Sequence, residues 1–371
     1  MSITAAPRFR LPYRLRVEPR LEPPAWLSPA ISFGAIVAAL LIGAVVLKLV
    51  GGDPWAAYVH IARSSFGSLG VFSDTLVKAT PIIFTGLAAV VAFRMRLWNI
   101  GAEGQFYMGA LGASTVVLAG IVPETAPRLV MLTVMLLMGV VYGALWALIP
   151  ALLKARLQVN EIITTLMMNY IALALVDYFI FGVWSEGGFQ MSPTFPKTAW
   201  LPRLTEYGAQ FPVLRGLTTH FGLILAFGAA LVVWYLLNRS LWGYEIRLIG
   251  DNPRAARYAG LNIARNTVLV LMVSGALAAI GGMSEISGVV HRLQAAISPG
   301  YGFTGIIVAW LAKLNPLAIV PVAILFGALI LAGREIQPSG VPRLIQGVIL
   351  FALIASEVLL RYQVRLVRVS A

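Results

Sequence analysis

The chain contains no cysteine and little charge. Among its 371 residues there is no thiol, which excludes a disulfide framework and any thiolate metal site. Charged residues make up only 12%, against 59% hydrophobic residues and a mean hydropathy of +0.85. Soluble domains carry roughly twice that charge. The three histidines, His60, His220 and His291, lie in unrelated segments and read as interface residues rather than metal ligands. No G-x-x-x-x-G-K-[ST] phosphate loop occurs. Histidines and paired carboxylates are too sparse to assemble a membrane-embedded enzyme. These absences leave an all-α, polytopic membrane protein.

A net charge of +13 would point to nucleic acid in a soluble protein. Here the basic residues flank apolar runs, so the positive-inside rule accounts for them and no nucleic-acid partner is expected. About ten spans are expected, near residues 30–50, 78–97, 103–121, 129–152, 161–183, 220–238, 266–288, 302–314, 316–333 and 342–361. The eighth and ninth are short and read as one bent hairpin or a pair of half-helices. With the N-terminus inside, 18 of the 28 Lys and Arg fall on the cytoplasmic side. They lie in the N-terminal arm (Arg8, Arg10, Arg14, Arg16, Arg20), at Arg94, Arg96, Lys154 and Arg156, between Arg239 and Arg265, at Lys313, and at Arg361, Arg365 and Arg368. Both termini are therefore expected in the cytoplasm. The expected organisation is an arm at 1–29, an uncleaved transmembrane domain at 30–361 and a tail at 362–371. Residues 51–77 are expected to form an interfacial helix outside. Residues 184–219, rich in Pro, Gly and aromatics, are expected as an irregular external docking loop with an aromatic belt.

The stretch WNIGAEGQFYMGALGAS, residues 98–114, organises the rest. It sets Asn99, Glu103 and Gln105 among glycines between two apolar runs. A carboxylate in hydrocarbon costs about 2.5–3.5 kcal/mol on insertion scales. Broken polar backbone at membrane depth is tolerated where protein or a water-filled cavity satisfies it. One reading is a broken helix at a translocation path; the other is a turn between two spans, capped by Asn99 or Gly101. Glu161, Thr165 and Asn169 follow at i, i+4 and i+8, which puts them on one helical face. That face looks into a cavity or makes interhelical hydrogen bonds. The aromatics Trp98, Phe106, Tyr107, Tyr301 and Phe303 serve as packing or as a stacking surface for a base.

The internal loop Ser240–Asn266 is polar and carries a short candidate helix from Pro253 to Tyr258. Asn252 is placed to cap it, Pro253 to occupy its first position, and Gly260 to stop it. Arg254 and Arg257 suit anionic lipid or a partner protein.

Three stretches together resemble the permease subunits of bacterial ABC importers that serve ribose-type sugars, branched-chain amino acids and nucleosides. They are NIGAEGQFYMGALGA; Ala255-Ala256-Arg257-Tyr258-Ala259-Gly260 with the following SGALAAIGGMSEISG; and SPGYGFTGIIVAWLAKLNPLAIVPVAILFGAL. NEIITTLMMNYIA is similar to the nucleoside and simple-sugar members. The resemblance covers about residues 75–360 and implies a multi-pass subunit of the bacterial cytoplasmic membrane. The polar residues within the spans make Asn99, Glu103, Gln105, Glu161, Thr165 and Asn169 the expected substrate path. The resemblance implies a coupling helix made of Asp251, Asn252, Pro253, Arg254, Ala255, Ala256, Arg257, Tyr258 and Gly260. It implies no cofactor in this chain, with ATP and Mg held by partner ATP-binding subunits, and a second homologous permease and an external solute-binding protein as further partners, in contact with membrane lipid. The alternative is an ion-coupled secondary transporter using Glu103, Glu161, Asp177 and Glu285.

Overall fold

The computed structural model describes residues 13–19, 24, 26–333, 344–352, 355 and 362–368. Arg8, Arg10, Arg20, Arg334, Arg343 and Arg361 lie outside them. The described chain is mainly helical, and it divides into two compact units, Met1–Pro54 with Arg343–Ala371 and Trp55–Pro342.

In the first unit, helix α1 (Leu27–Leu49) presents exposed Phe33, Leu41 and Val45. A helical segment over 344–352 occupies the start of the tenth expected span. Strands β1 (Tyr13–Pro19) and β2 (Tyr362–Arg368) pair antiparallel with Arg16 opposite Arg365. This ribbon joins the arm to the tail. Its partners stand at opposite ends of the chain, where local pattern carries no signal for pairing.

The second unit starts with α2 (Pro54–Phe66), the expected interfacial helix, whose Trp55 and Phe66 are exposed. Helices α3 (Leu69–Arg94) and α10 (Ile263–Glu285) form its centre and are buried along most of their length. Around them stand α4 (Ala102–Leu118), α5 (Arg128–Leu157), α6 (Glu161–Phe181), α7 (Gly222–Arg239), α11 (Tyr301–Leu311) and α12 (Ile319–Ala332). α3 starts nine residues before the expected 78 because Ser68 caps it, accepting a hydrogen bond from Val71 N at 3.3 Å. Exposed Leu137, Val141 and Leu145 on α5, and Ile163, Met167 and Tyr170 on α6, form lipid-type outer faces. α11 and α12 have 11 and 14 residues. At 1.5 Å per residue they reach about 16 and 21 Å, short of a ~30 Å hydrocarbon core. They are half-helices, joined through Lys313 and Leu314 in left-handed backbone at φ 52° and 55°.

Glycine permits the tightest packing in this unit. A Cβ at Gly282 of α10 would lie 1.9 Å from Phe106 O, and one at Gly109 of α4 would lie 2.2 Å from Ala279 O. Gly143 of α5 and Gly275 of α10 face each other, each Cβ position within 2.6 Å of the other's carbonyl oxygen. These are the small-residue contacts by which membrane helices bring backbones together.

The loop after α7 is a pair of helices, α8 (Leu241–Asp251) and α9 (Pro253–Tyr258). α9 occupies the expected residues. α8 was hidden within a stretch that reads as polar loop; Ser240 caps it by accepting from Gly243 N at 3.0 Å. The loop expected outside folds with three 3-10 turns, Lys197–Ala199, Leu204–Tyr207 and Pro212–Leu214, and makes no regular α-helix.

Candidate functional site

The turn from Trp98 to Gly101 sits between α3 and α4, and its polar groups are tied to α4 itself and to two other helices, α6 and α10. Asn99 is fully buried. Its Oδ1 accepts from Gly101 N at 3.0 Å and from Gln105 Nε2 at 3.2 Å. Its Nδ2 donates to Gln105 Oε1 at 2.9 Å and to Ser274 Oγ on α10 at 2.8 Å. Ser274 in turn donates to Ala88 O on α3 at 2.7 Å. From α6, Thr165 Oγ1 accepts from Ile100 N at 3.2 Å. Asn169 Oδ1 accepts from Gly104 N at 2.8 Å, and its Nδ2 donates to Ile100 O at 2.9 Å. The α6 stripe expected from spacing alone is thus one buried face, of which Thr165 and Asn169 meet the 100–104 backbone. The backbone donors of Asn99, Ile100 and Gly101 and the Asn99 amide each find an acceptor, as buried polar groups require.

Glu103 is separate from this cluster. Its Oε2 accepts from Gly302 N at 2.6 Å, in the first turn of α11, and Ser298 also donates to it. A carboxylate at that N-terminus complements the helix dipole. Gly302 is required there, since a Cβ would stand 2.2 Å from Glu103 N. Glu161 pairs with Lys154 at 2.8 Å across the α5–α6 turn. The six residues therefore fall into one network of four (Asn99, Gln105, Thr165, Asn169) and two separate contacts. Phe106, Tyr107 and Tyr301 are buried and packed on one another, with centroids 5.7–6.1 Å apart, while Trp98 stacks on Trp310 at 5.8 Å.

Sequence reasoning missed Ser274 and Lys78. Lys78 of α3 pairs with Glu285 at the end of α10 at 3.2 Å, with side chains 8% and 3% exposed. Lysine at mid-helix in an otherwise apolar run was the available signal. α10 then continues as a π-helical turn, Ile286–Val290.

The end of this unit nearest the 98–101 turn collects the basic loops. Gly250 of α8 abuts the α3 terminus, its Cβ position 2.4 Å from Arg94 O, and Arg96 reaches Asp251 at 4.0 Å. α9 stands out from this end. Asn252 Oδ1 caps it, accepting from Arg254 N and Ala255 N at 3.1 Å each. Ala256 faces inward and is fully buried, whereas Arg254, Ala255 and Arg257 are exposed and Tyr258 is 95% exposed. Gly260 turns the chain back at φ +78°, a left-handed conformation that suits glycine.

At the opposite end the long loop is fastened by two arginines. Arg128 makes a bidentate pair with Glu206 at 2.7 and 3.0 Å. Arg203 Nη2 donates to Gly288 O and to His291 Nε2, both at 2.8 Å, and His291 stacks on Trp200 at 3.8 Å. Hydrogen bonding from Arg128 holds the Glu206 carboxyl below its ordinary range. Burial, with Arg203 adding, pushes the His291 imidazole from 6.5 to about 4. Both groups bind more protons when the loop is free, so its closure is strongest at neutral pH and weakens as pH falls from about 6.5 towards 4. Amide exchange of residues 197–215, corrected for intrinsic rates, is expected to be faster at pH 5 than at pH 7. Equal corrected rates would contradict this.

Comparison with known proteins gives a consistent result. The family described as "Branched-chain amino acid transport system / permease component" matches residues 71–355. A glucose ABC transporter permease protein of Haloferax volcanii is 35% identical over 364 residues, 94% of this chain and 93% of that protein. A guanosine ABC transporter permease protein of Bacillus subtilis is 33% identical, over 90% of this chain and 93% of its own. A second guanosine ABC transporter permease protein of that organism is 26% identical, over 68% and 78%.

Proposed function

From the premise that the chain belongs to the branched-chain amino acid transport system permease family, we propose that it is the membrane subunit of an ATP-driven importer for a nucleoside or simple sugar. The two similar relatives named for glucose and guanosine support neutral, polyhydroxylated cargo. Such cargo also suits a chain whose intramembrane polar residues are mostly amides and hydroxyls. The importer comprises this permease, a second permease, ATP-binding subunits that hold ATP and Mg, and an external solute-binding protein. The unequal likeness to two permeases of one organism supports a distinct second permease. The basic end, carrying α8 and α9, faces the cytoplasm together with both termini.

The observation that carries this reading is α9. It is a capped, single-turn helix standing out of the bundle with a bare tyrosine at its tip. Asp251–Gly260 couples the permease to the ATP-binding subunit, with Arg254, Ala255 and Tyr258 in that subunit's groove. Asn99, Gln105, Thr165 and Asn169 frame the path by fixing the 98–104 backbone against α6 and α10. Glu103 and Glu161 extend this framework to α11 and α5. The ion-coupled alternative is not favoured. Three of its four carboxylates are committed, Glu103 to α11, Glu161 to Lys154 and Glu285 to Lys78.

Because Ala256 is turned inward, the test belongs on the outer face. Tyr258→Ala is expected to weaken the permease–ATPase complex by about 2 kcal/mol, the scale of an aromatic hot spot, or roughly 30-fold. Ala255→Asp should abolish uptake while the purified permease keeps its melting temperature. If α9 instead lies on lipid, Arg254→Ala and Arg257→Ala weaken membrane association and leave subunit copurification intact. Unchanged affinity and uptake in Tyr258→Ala and Ala255→Asp reject the coupling role.

A further inference from the structure

Beside α9, at the same end, is a cavity of about 440 Å³. Four parts of the chain line it: the α3–α4 turn, the end of α5 with the start of α6, the α8–α9 corner and the first turn of α10. That volume lies in the range of small-molecule sites. Its charged lining is Arg96, Lys154, Arg257 and Glu161. Lys154 and Glu161 neutralise each other at 2.8 Å. Arg96 meets Asp251 only at 4.0 Å, with both side chains largely in solvent at 71% and 82%, a geometry in which an ion pair holds weakly. Among the described residues Arg257 donates to no acceptor. Two guanidiniums therefore border one open cavity.

The surroundings add to this positive field. Arg94 and Arg247 stand close by, and their own donors are taken up by Leu314 O and Leu237 O. Ile263, Ala264 and Thr267 bring the N-terminal turn of the 23-residue α10 to the wall. Ile249 and Pro253 add apolar lining. Guanidinium forks match phosphate oxygens in pairs, and the apolar wall can take the face of a sugar or base.

We propose that this cavity binds the phosphate monoester of a sugar or nucleoside on the cytoplasmic side, and that its occupancy restrains α9. The identity of the ester rests on the cargo reading above. Transfer of the terminal phosphoryl group of a nucleoside triphosphate to a hydroxyl of the imported cargo, with the nucleoside diphosphate leaving and the hydroxyl proton released, is the class of reaction that makes such a ligand, by turning a neutral solute into a dianion. The bound dianion bridges Arg257 on α9 to Arg96 on the α3–α4 turn. A ligand that favours one arrangement of a coupling element opposes the others by its differential affinity. The accumulated product thus slows further uptake.

The test uses the complete complex in lipid nanodiscs, titrated with ribose 5-phosphate and glucose 6-phosphate and followed by phosphorus NMR. Ribose and inorganic phosphate are the comparison ligands. Saturable binding of an ester is expected, with inorganic phosphate at least tenfold weaker and ribose silent. Gln158→Glu places a carboxylate at the cavity without touching α9 and should weaken ester binding at least tenfold while basal ATP hydrolysis is unchanged; Arg96→Glu, beside Asp251, should also weaken ester binding at least tenfold. The proposal is overturned if neither ester binds, if inorganic phosphate binds as well as the esters, or if both variants bind like the wild type, which would place the ester on another subunit. If Arg96→Glu fails to assemble, Gln158→Glu decides alone. Failure of the importer reading itself would show earlier, as a permease that copurifies with no ATP-binding subunit before any ester is added.

Discussion

Gly282→Val leaves no folded permease to recover. The new side chain starts 1.9 Å from Phe106 O and 2.9 Å from Ala110 N, both backbone atoms of α4 that cannot rotate away. α10 must withdraw, and with it go Ser274 from Asn99 and the Gly143–Gly275 contact with α5. Overpacking a core costs about 1–3 kcal/mol where side chains can adjust, and more here because backbone opposes backbone. The monodisperse yield in detergent is expected to fall to background. Gly228→Val is the matched control, since its Cβ meets nothing within 4 Å on α7. A Gly282→Val protein that elutes and melts like the Gly228→Val protein would disprove this account of the α4–α10 crossing.

Lys78→Met is the second large effect. It removes the cation that faces Glu285 at 3.2 Å and leaves the carboxylate buried in an apolar bundle. Breaking one side of a buried pair costs about 3–5 kcal/mol, whereas replacing both sides with apolar groups is often close to neutral. Thermal unfolding in one detergent should therefore rank wild type near Lys78→Met/Glu285→Met, with Lys78→Met well below. If the single and double variants melt together, the pair does not carry the stability assigned to it.

Much of this arrangement was legible without coordinates, and the limit is physical. The spans follow from composition, because twenty apolar residues have few other fates. α9 was placed by local chemistry alone: Asn252 as cap, Pro253 as first residue, Gly260 as stop. The buried face of α6 followed from the spacing of Glu161, Thr165 and Asn169. None of these steps required knowledge of a distant partner. Asn99 was visible as an oddity, but its bond to Ser274 spans 175 residues, and no period in the sequence encodes that pairing. The same holds for Lys78 with Glu285 and for β1 with β2. α8 escaped because its signal, the Ser240 cap, lay among Gly243, Tyr244, Glu245 and Arg247, which read as loop. Whether the polar stripe faced a cavity or another helix also depended on the partner.

The Glu103–Gly302 bond has a consequence for biosynthesis. The two residues are 199 positions apart, so at roughly 5–20 residues per second the ribosome needs about 10–40 s after Glu103 to deliver its partner. Throughout that interval α4 carries the Glu103 carboxylate without its α11 donor, while Gln105 already has Asn99, six residues away. Such a segment partitions poorly into lipid by itself. It therefore waits at the insertion machinery, or in a chaperone's care, until α6, α10 and α11 emerge. Truncated nascent chains ending before residue 302 should remain extractable from the membrane, and longer ones should resist extraction.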